Sequence, residues 1–349
     1  MADISPFCGI RYNLQKIHRL QEVIAPPYDI ISKDEQEDLY QRHPANIVRL
    51  ELGKQEPGDN EQSNRYTRAA ADLHRWEDES ILIREKQPAF YLYRMEYTDR
   101  GGVFRSLTTM FCRMRLAPFS SGTILPHEAT LTGPKEDRLH LLRATRANLS
   151  TVFSLFSDPQ CEFERLCAEP TALSPLDTVT DAWGTRHRLW VVTDPAFAAA
   201  VREHLNDKTL FIADGHHRYE TMLRYQAEMH AAHGDQPGPW DWGLMVLANM
   251  DSQGITVLPT HRAVRNVAAD RLATLLDRAR ELFNVSAADS LEALQASMQA
   301  EQAAGRHAFG IYLPGTGFRL LRLEKEAAAD ALLDAKRTPA WRRLDVALL

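Results

Sequence analysis

The chain has 349 residues, 44% hydrophobic and 25% charged, with a net charge of −6 from 41 basic and 47 acidic side chains. This is the make-up of an ordinary globular protein, with apolar residues enough for one large domain or two smaller ones. The acidic balance gives no general attraction to nucleic acid or anionic lipid, no run of about 18 apolar residues offers a membrane span, and the opening residues lack a basic-then-apolar leader, so a cytoplasmic protein with neither a membrane nor a nucleic-acid partner is expected.

Along the chain, Ser32 reads as a helix N-cap with Glu35 as its capping-box partner. Residues 65–79 are predicted helical, with Ala69, Leu73 and Trp76 on one face. Residues 89–97 and 103–115 are predicted strands joined by the turn Asp99-Arg100-Gly101-Gly102, and 135–148 a helix. A short apolar strand over 186–192 leads to Asp194 as a cap, Pro195 in the first turn, and Phe197, Val201 and Leu205 on one helical face. A second strand over 209–213 runs into Asp214-Gly215-His216-His217-Arg218, read as a turn, with a helix from Tyr219. Residues 243–249 are predicted to form a buried strand and 255–258 its hairpin partner. Leu272, Leu275, Leu276, Ala279, Leu282 and Phe283 mark an amphipathic helix, and 308–313 with 318–323 flank a hairpin signal at Pro314-Gly-Thr-Gly317. Helices mixed with hairpins predict an α/β (α+β) protein with mixed sheets. Three regions are expected, 1–120, 121–265 with the His-Glu and Asp-Gly-His-His-Arg motifs, and 266–349, unless they form one intertwined unit.

Asp214 to Arg218 is the strongest chemical signal. Gly215 permits a tight turn, and the helix that follows opens with unbonded N–H groups and a partial positive charge. Two imidazoles and a guanidinium add donors for phosphate oxygens, and Asp214 suggests Mg²⁺ beside them or the orientation of a histidine. The plain alternative is a capped helix with solvated histidines. Zinc on the paired histidines is another, though adjacent helical residues do not face one way. A second constellation is Pro126-His127-Glu128-Ala-Thr130 with Lys135-Glu136-Asp137-Arg138, where Glu128 is a candidate base and Lys135 and Arg138 candidate charge neutralisers. His261-Arg262 offers a further anion contact, and Tyr28-Asp29 on the proline-stiffened loop, together with Arg49, offers substrate contacts. No P-loop, GxGxxG fingerprint or GxSxG elbow is present.

Ala25-Pro-Pro-Tyr-Asp29, His43-Pro44-Ala-Asn46 with Arg49, Pro126-His-Glu128, Pro134-Lys135-Glu-Asp137-Arg138, Ala213 to Tyr219 and Leu258-Pro-Thr-His-Arg262 resemble, in order and over about residues 4–348, the prokaryotic domain of unknown function family 1015. Many of its members continue past the position of Leu349 with basic and aromatic residues, which makes this chain a short member or leaves part of the site outside it. The strand–helix–strand–Asp-Gly-His-His-Arg–helix run is also similar to the phosphate-binding core of the ParB/sulfiredoxin superfamily, most closely its free-serine kinase branch. That resemblance implies bound ATP or ADP with Mg²⁺, phosphates held by Gly215, His216, His217 and Arg218, Asp214 assisting the metal or the phosphoryl group, and Glu128 as base. The expected activity is nucleotide-dependent phosphoryl transfer to a small hydroxylated metabolite such as serine, with His127 at the substrate. A phosphatase on the same site and a non-catalytic nucleotide-binding switch are the alternatives.

Overall fold

The computed structural model describes residues 2–128, 132–258 and 261–348, with side chains from residue 135 onward in the helix that begins at Thr132. The chain divides into two units, 1–258 and 259–349.

In the first unit the order is β1 (Ile4–Ser5), β2 (Ile10–Tyr12), α1 (Lys33–Arg42), α2 (Val48–Glu51), α3 (Arg65–Asp78), β3 (Leu82–Arg84), β4 (Phe90–Thr98), β5 (Phe104–Arg115), β6 (Ile124–Leu125), α4 (Thr132–Thr145), β7 (Val152–Phe156), α5 (Glu162–Ala172), β8 (Asp177–Thr180), β9 (Arg186–Val192), α6 (Pro195–Asn206), β10 (Leu210–Asp214), α7 (His216–His233) and β11 (Trp242–Asn249). Caps appear where the sequence supplies them. Ser32 accepts from the Glu35 N–H, Asp194 from the Ala196 and Phe197 N–H groups, and Asn64 forms a reciprocal capping box with Thr67.

The main sheet has nine strands in the order β6-β10-β7-β11-β5-β4-β9-β8, with β1 beside the end of β5. It is mixed: β6–β10 and β7–β11 are parallel, and the other pairs antiparallel. Alternation sends Met110, Cys112 and Met114 of β5 to one face, where they meet Phe163 and Cys167 of α5, Phe197, Val201 and Leu205 of α6, and Tyr219 and Met222 of α7. A second core gathers Leu50, Ala69, Leu73, Trp76 and Leu82. Neighbouring residues of α4 join the two, Leu141 in the second core and Leu142 in the first. Helix α4 is thus fixed from both sides.

Three expectations are corrected. Residues 255–258 form no strand. Strand β11 is flanked by β5 and β7, so no edge is open for a returning partner. Instead the turn presses Gly254 against the Ser106 backbone, and Tyr97 Oη donates to the Gly254 carbonyl at 2.8 Å. Leu282 and Phe283 are not helical. Their helix ends at Ala279, and Phe283 pairs with Leu323 in a strand. Finally α7 begins at His216, not Tyr219, so the polar motif is the first turn of the helix itself.

The second unit has α8 (Ala269–Ala279), β12 (Phe283–Ala288), α9 (Leu291–Ala303), β13 (Ala308–Leu313) and β14 (Gly317–Leu323), then three short helices. Its antiparallel sheet, β12-β14-β13, packs through Phe309, Leu313, Leu320 and Leu323 with Leu294 of α9. The expected hairpin is present, with Leu313 opposite Gly317.

Candidate functional site

Strand β10 delivers the site. Leu210 and Ile212 are buried, and the register shifts between Ile212 and Asp214, which frees the strand end to turn. Gly215 follows at φ +94°, the left-handed region that suits glycine, and caps α7. Arg218 folds back over it, so a Cβ on Gly215 would sit 3.0 Å from Arg218 Nε. Gly215→Ala is therefore expected to cost about 1–2 kcal/mol from backbone strain alone. Urea denaturation measures this, and an unchanged midpoint would contradict it.

On the β6 side of β10 lie His216, His127 and Glu128. The His216 ring is 3% exposed. Its Nε2 accepts the backbone N–H of His127 at 3.1 Å, and its Nδ1 is 3.7 Å from Glu128 Oε2. The His127 ring meets it edge to face at a centroid distance of 4.5 Å and donates from Nδ1 to the Ile212 carbonyl at 2.7 Å. Glu128 itself is exposed. Ligand atoms of His127, Glu128 and His216 fall within 4.8 Å of one another, the spacing of a metal group. The donor chemistry opposes it. Because Nε2 of His216 accepts an N–H, a neutral ring carries its proton on Nδ1, and neither nitrogen keeps a lone pair for a metal.

Burial pushes the His216 pKa below its ordinary 6.5, and His127 adds to this, against Glu128 and Asp214. The unfolded chain thus takes up a proton near pH 6.5 that the folded chain refuses until lower pH. Stability present above pH 6.5 is lost as pH falls through that window. Urea midpoints measured from pH 8 to about 5 should fall less steeply in His216→Asn than in the wild type. Parallel curves would contradict the assignment.

On the β7 side the arginines are committed to carboxylates. Arg218 bonds Asp214 and the Thr151 carbonyl. Arg138, 7% exposed, donates to Asp137 at 2.8 Å and to the Glu51 carbonyl at 2.9 Å, and lies 4.0 Å over the Tyr28 ring. Asp137 also takes Tyr66 Oη at 2.8 Å and Arg65. Burial works to raise the Asp137 pKa, but Arg138, Tyr66 and Arg65 hold it below the usual carboxylate range. Burial raises Tyr28 against the pull of Arg138 and Arg218. The cleft between Glu51, Arg138, Ser150, Arg218 and Thr221 is about 40 Å³, room for water and not for a metabolite.

Helices α4 and α7 run in the same direction, laced by Lys135–Glu220 at 2.7 Å, Glu136–Arg224 and Arg143–Glu228 at 2.7 Å. Both N-termini therefore lie at the same end of the pair, next to Glu128. Arg49 faces elsewhere: it donates to the Tyr40 carbonyl and stacks on the Tyr40 ring. Asp29 is exposed, and His217 half-buried. His261 and Arg262 are exposed residues of the second unit. Ala129, Thr130 and Leu131, and Pro259 and Thr260, lie outside the described residues.

The sequence reading missed Glu51 and Ser150, whose Oγ donates to Glu51 at 2.6 Å, and Arg65 with Tyr66. Their only local signal is the charge at Arg65, two turns from the helical face of Leu73 and Trp76.

Fold and site together define a mixed α/β protein whose glycine-opened helix N-terminus faces a histidine–glutamate pair. The chain belongs to the family described as Protein of unknown function (DUF1015), whose model matches residues 4–347. No curated protein and no solved structure matches it. Among the described residues, no helix is long and apolar enough to cross a membrane.

Proposed function

We propose that this protein is a nucleotide-dependent phosphotransferase acting on a small hydroxylated metabolite, serine or a relative. The observation that carries the reading is the Glu128 carboxylate, exposed and 3.7 Å from His216 Nδ1, beside the N-terminus of α7. A phosphate at that N-terminus would meet backbone N–H groups and the positive end of the helix. Glu128 stands beside it, exposed, with Oε1 3.6 Å from His127 Nε2 and Oε2 toward His216, and takes a hydroxyl proton there. The resemblance of the Asp-Gly-His-His-Arg run to the ParB/sulfiredoxin superfamily's free-serine kinase branch supports the same roles.

Asp214 suits Mg²⁺, with one oxygen on Arg218 and a side chain 59% exposed. The ion would neutralise phosphoryl oxygens. Arg218 holds Asp214 in place and brings positive charge to the turn; His217 and the first-turn N–H groups contact phosphate. Lys135 and Arg138 contribute field and structure through their carboxylate partners. ADP release from MgATP tests the reading. Release that depends on an added acceptor, L-serine first and then other small alcohols, is expected. Release of inorganic phosphate from phosphoserine, without nucleotide, would favour the phosphatase alternative.

A further inference from the structure

We infer that His216 is a positioning residue for Glu128, a neutral ring fixed with its proton on Nδ1 and aimed at the Glu128 carboxylate. As a role in a reaction this rests on the phosphotransfer reading. The geometry behind it does not.

Three contacts fix the ring. The His127 N–H at 3.1 Å claims the Nε2 lone pair, which leaves Nδ1 as the protonated atom. A flipped ring would present carbon to that N–H and leave a donor unmatched. The His127 ring, packed edge to face at 4.5 Å and tied to the Ile212 carbonyl at 2.7 Å, closes the space a flip needs. The ring is thus oriented by backbone on both flanks, by His127 N–H directly and by Ile212 through His127.

Nδ1 then faces Glu128 Oε2 at 3.7 Å, outside hydrogen-bond range. Such pairs are often long before substrate binds and close when it does. Glu128 is the exposed member, its side chain 60% exposed, and His216 the buried one, at 3%. The buried partner therefore sets where the exposed carboxylate comes to rest. This assigns the two motif histidines different work. The His217 side chain is on the ligand side, and the His216 ring makes no phosphate contact, its backbone N–H alone belonging to the turn. It also explains why His127 and Glu128 are adjacent: the backbone of one sets the tautomer of the ring that orients the side chain of the other.

The test is a long-range ¹H–¹⁵N correlation spectrum of the full chain with ¹⁵N-labelled histidine, near neutral pH and without nucleotide. The His216 signals are assigned by their loss in His216→Gln or, should that variant not fold, through the hydrogen-bond correlation to the His127 amide. A bare Nε2 and a protonated Nδ1 are expected. In Glu128→Gln, a surface change, Nδ1 should shift and Nε2 should not. A proton on Nε2, a doubly protonated ring, or an Nδ1 signal indifferent to Glu128→Gln overturns the inference, whatever any assay gives.

The kinetic arm uses MgATP and L-serine. His216→Asn keeps an N–H at the Nδ1 position and should retain most of kcat. His216→Gln places its amide at the Nε2 position and should lose on the order of 10- to 100-fold in kcat, with little change in KM for MgATP. Equal losses in both variants overturn the positioning role. An Nδ1–H ring with no acceptor-dependent ADP release removes the reaction, and the role with it, while the paired geometry stands.

Discussion

Arg138→Ala is expected to cost about 3–5 kcal/mol of folding stability, because it strips the partner from charges that are already out of water. Arg138 is 7% exposed, and it joins Asp137 to Glu51. Truncation leaves Asp137 with Arg65 and Tyr66 on one side and nothing on the other, and leaves the Glu51 carbonyl without its 2.9 Å donor. It also uncovers Tyr28, whose ring lies 4.0 Å beneath the guanidinium. Arg138→Lys keeps the charge but loses the fork that reaches both carboxylates, and should recover only part of the loss. Urea midpoints read the effect directly. A loss under about 1 kcal/mol would mean that the network is solvated like an ordinary surface pair.

Glu128→Gln is expected to lower acceptor-dependent ADP release by roughly 10²- to 10⁴-fold, the range a general base contributes. Stability should change by no more than about 0.5 kcal/mol, since the side chain is exposed. Stabilisation by MgATP should survive, because the proposed site places the phosphates on the α7 turn and not on Glu128. Loss of binding together with turnover would instead make Glu128 part of the nucleotide site. Full activity in Glu128→Gln would leave the hydroxyl proton to another group.

Local order was legible and long-range order was not. The cap at Asp194, the face of Phe197, Val201 and Leu205, and the strand Arg186–Val192 all formed as their patterns dictate. Nothing local said that β9 and β10, consecutive around α6, would stand far apart, with β7, β11, β5 and β4 between them. The failed strand at 255–258 has the same cause, since its free neighbour was taken by strands distant in sequence. At the site, glycine and polar residues at a strand–helix junction marked the turn, and the His-Glu loop meets it through the His127 N–H. The arginines were harder. Arg138 finds Glu51 across 87 residues, and a charge in a motif reads as a ligand until its buried partner is known.

The central claim is that nucleotide phosphates rest on the first turn of α7. The most direct measurement is titration of the ¹⁵N-labelled chain with MgADP, following the backbone amides of Gly215, His216 and His217. Saturable shifts at these three amides are expected, with smaller changes at His127, whose N–H is bonded to the His216 ring. Amides of the turn that stay in place while MgADP is bound elsewhere, or not bound at all, would contradict the claim.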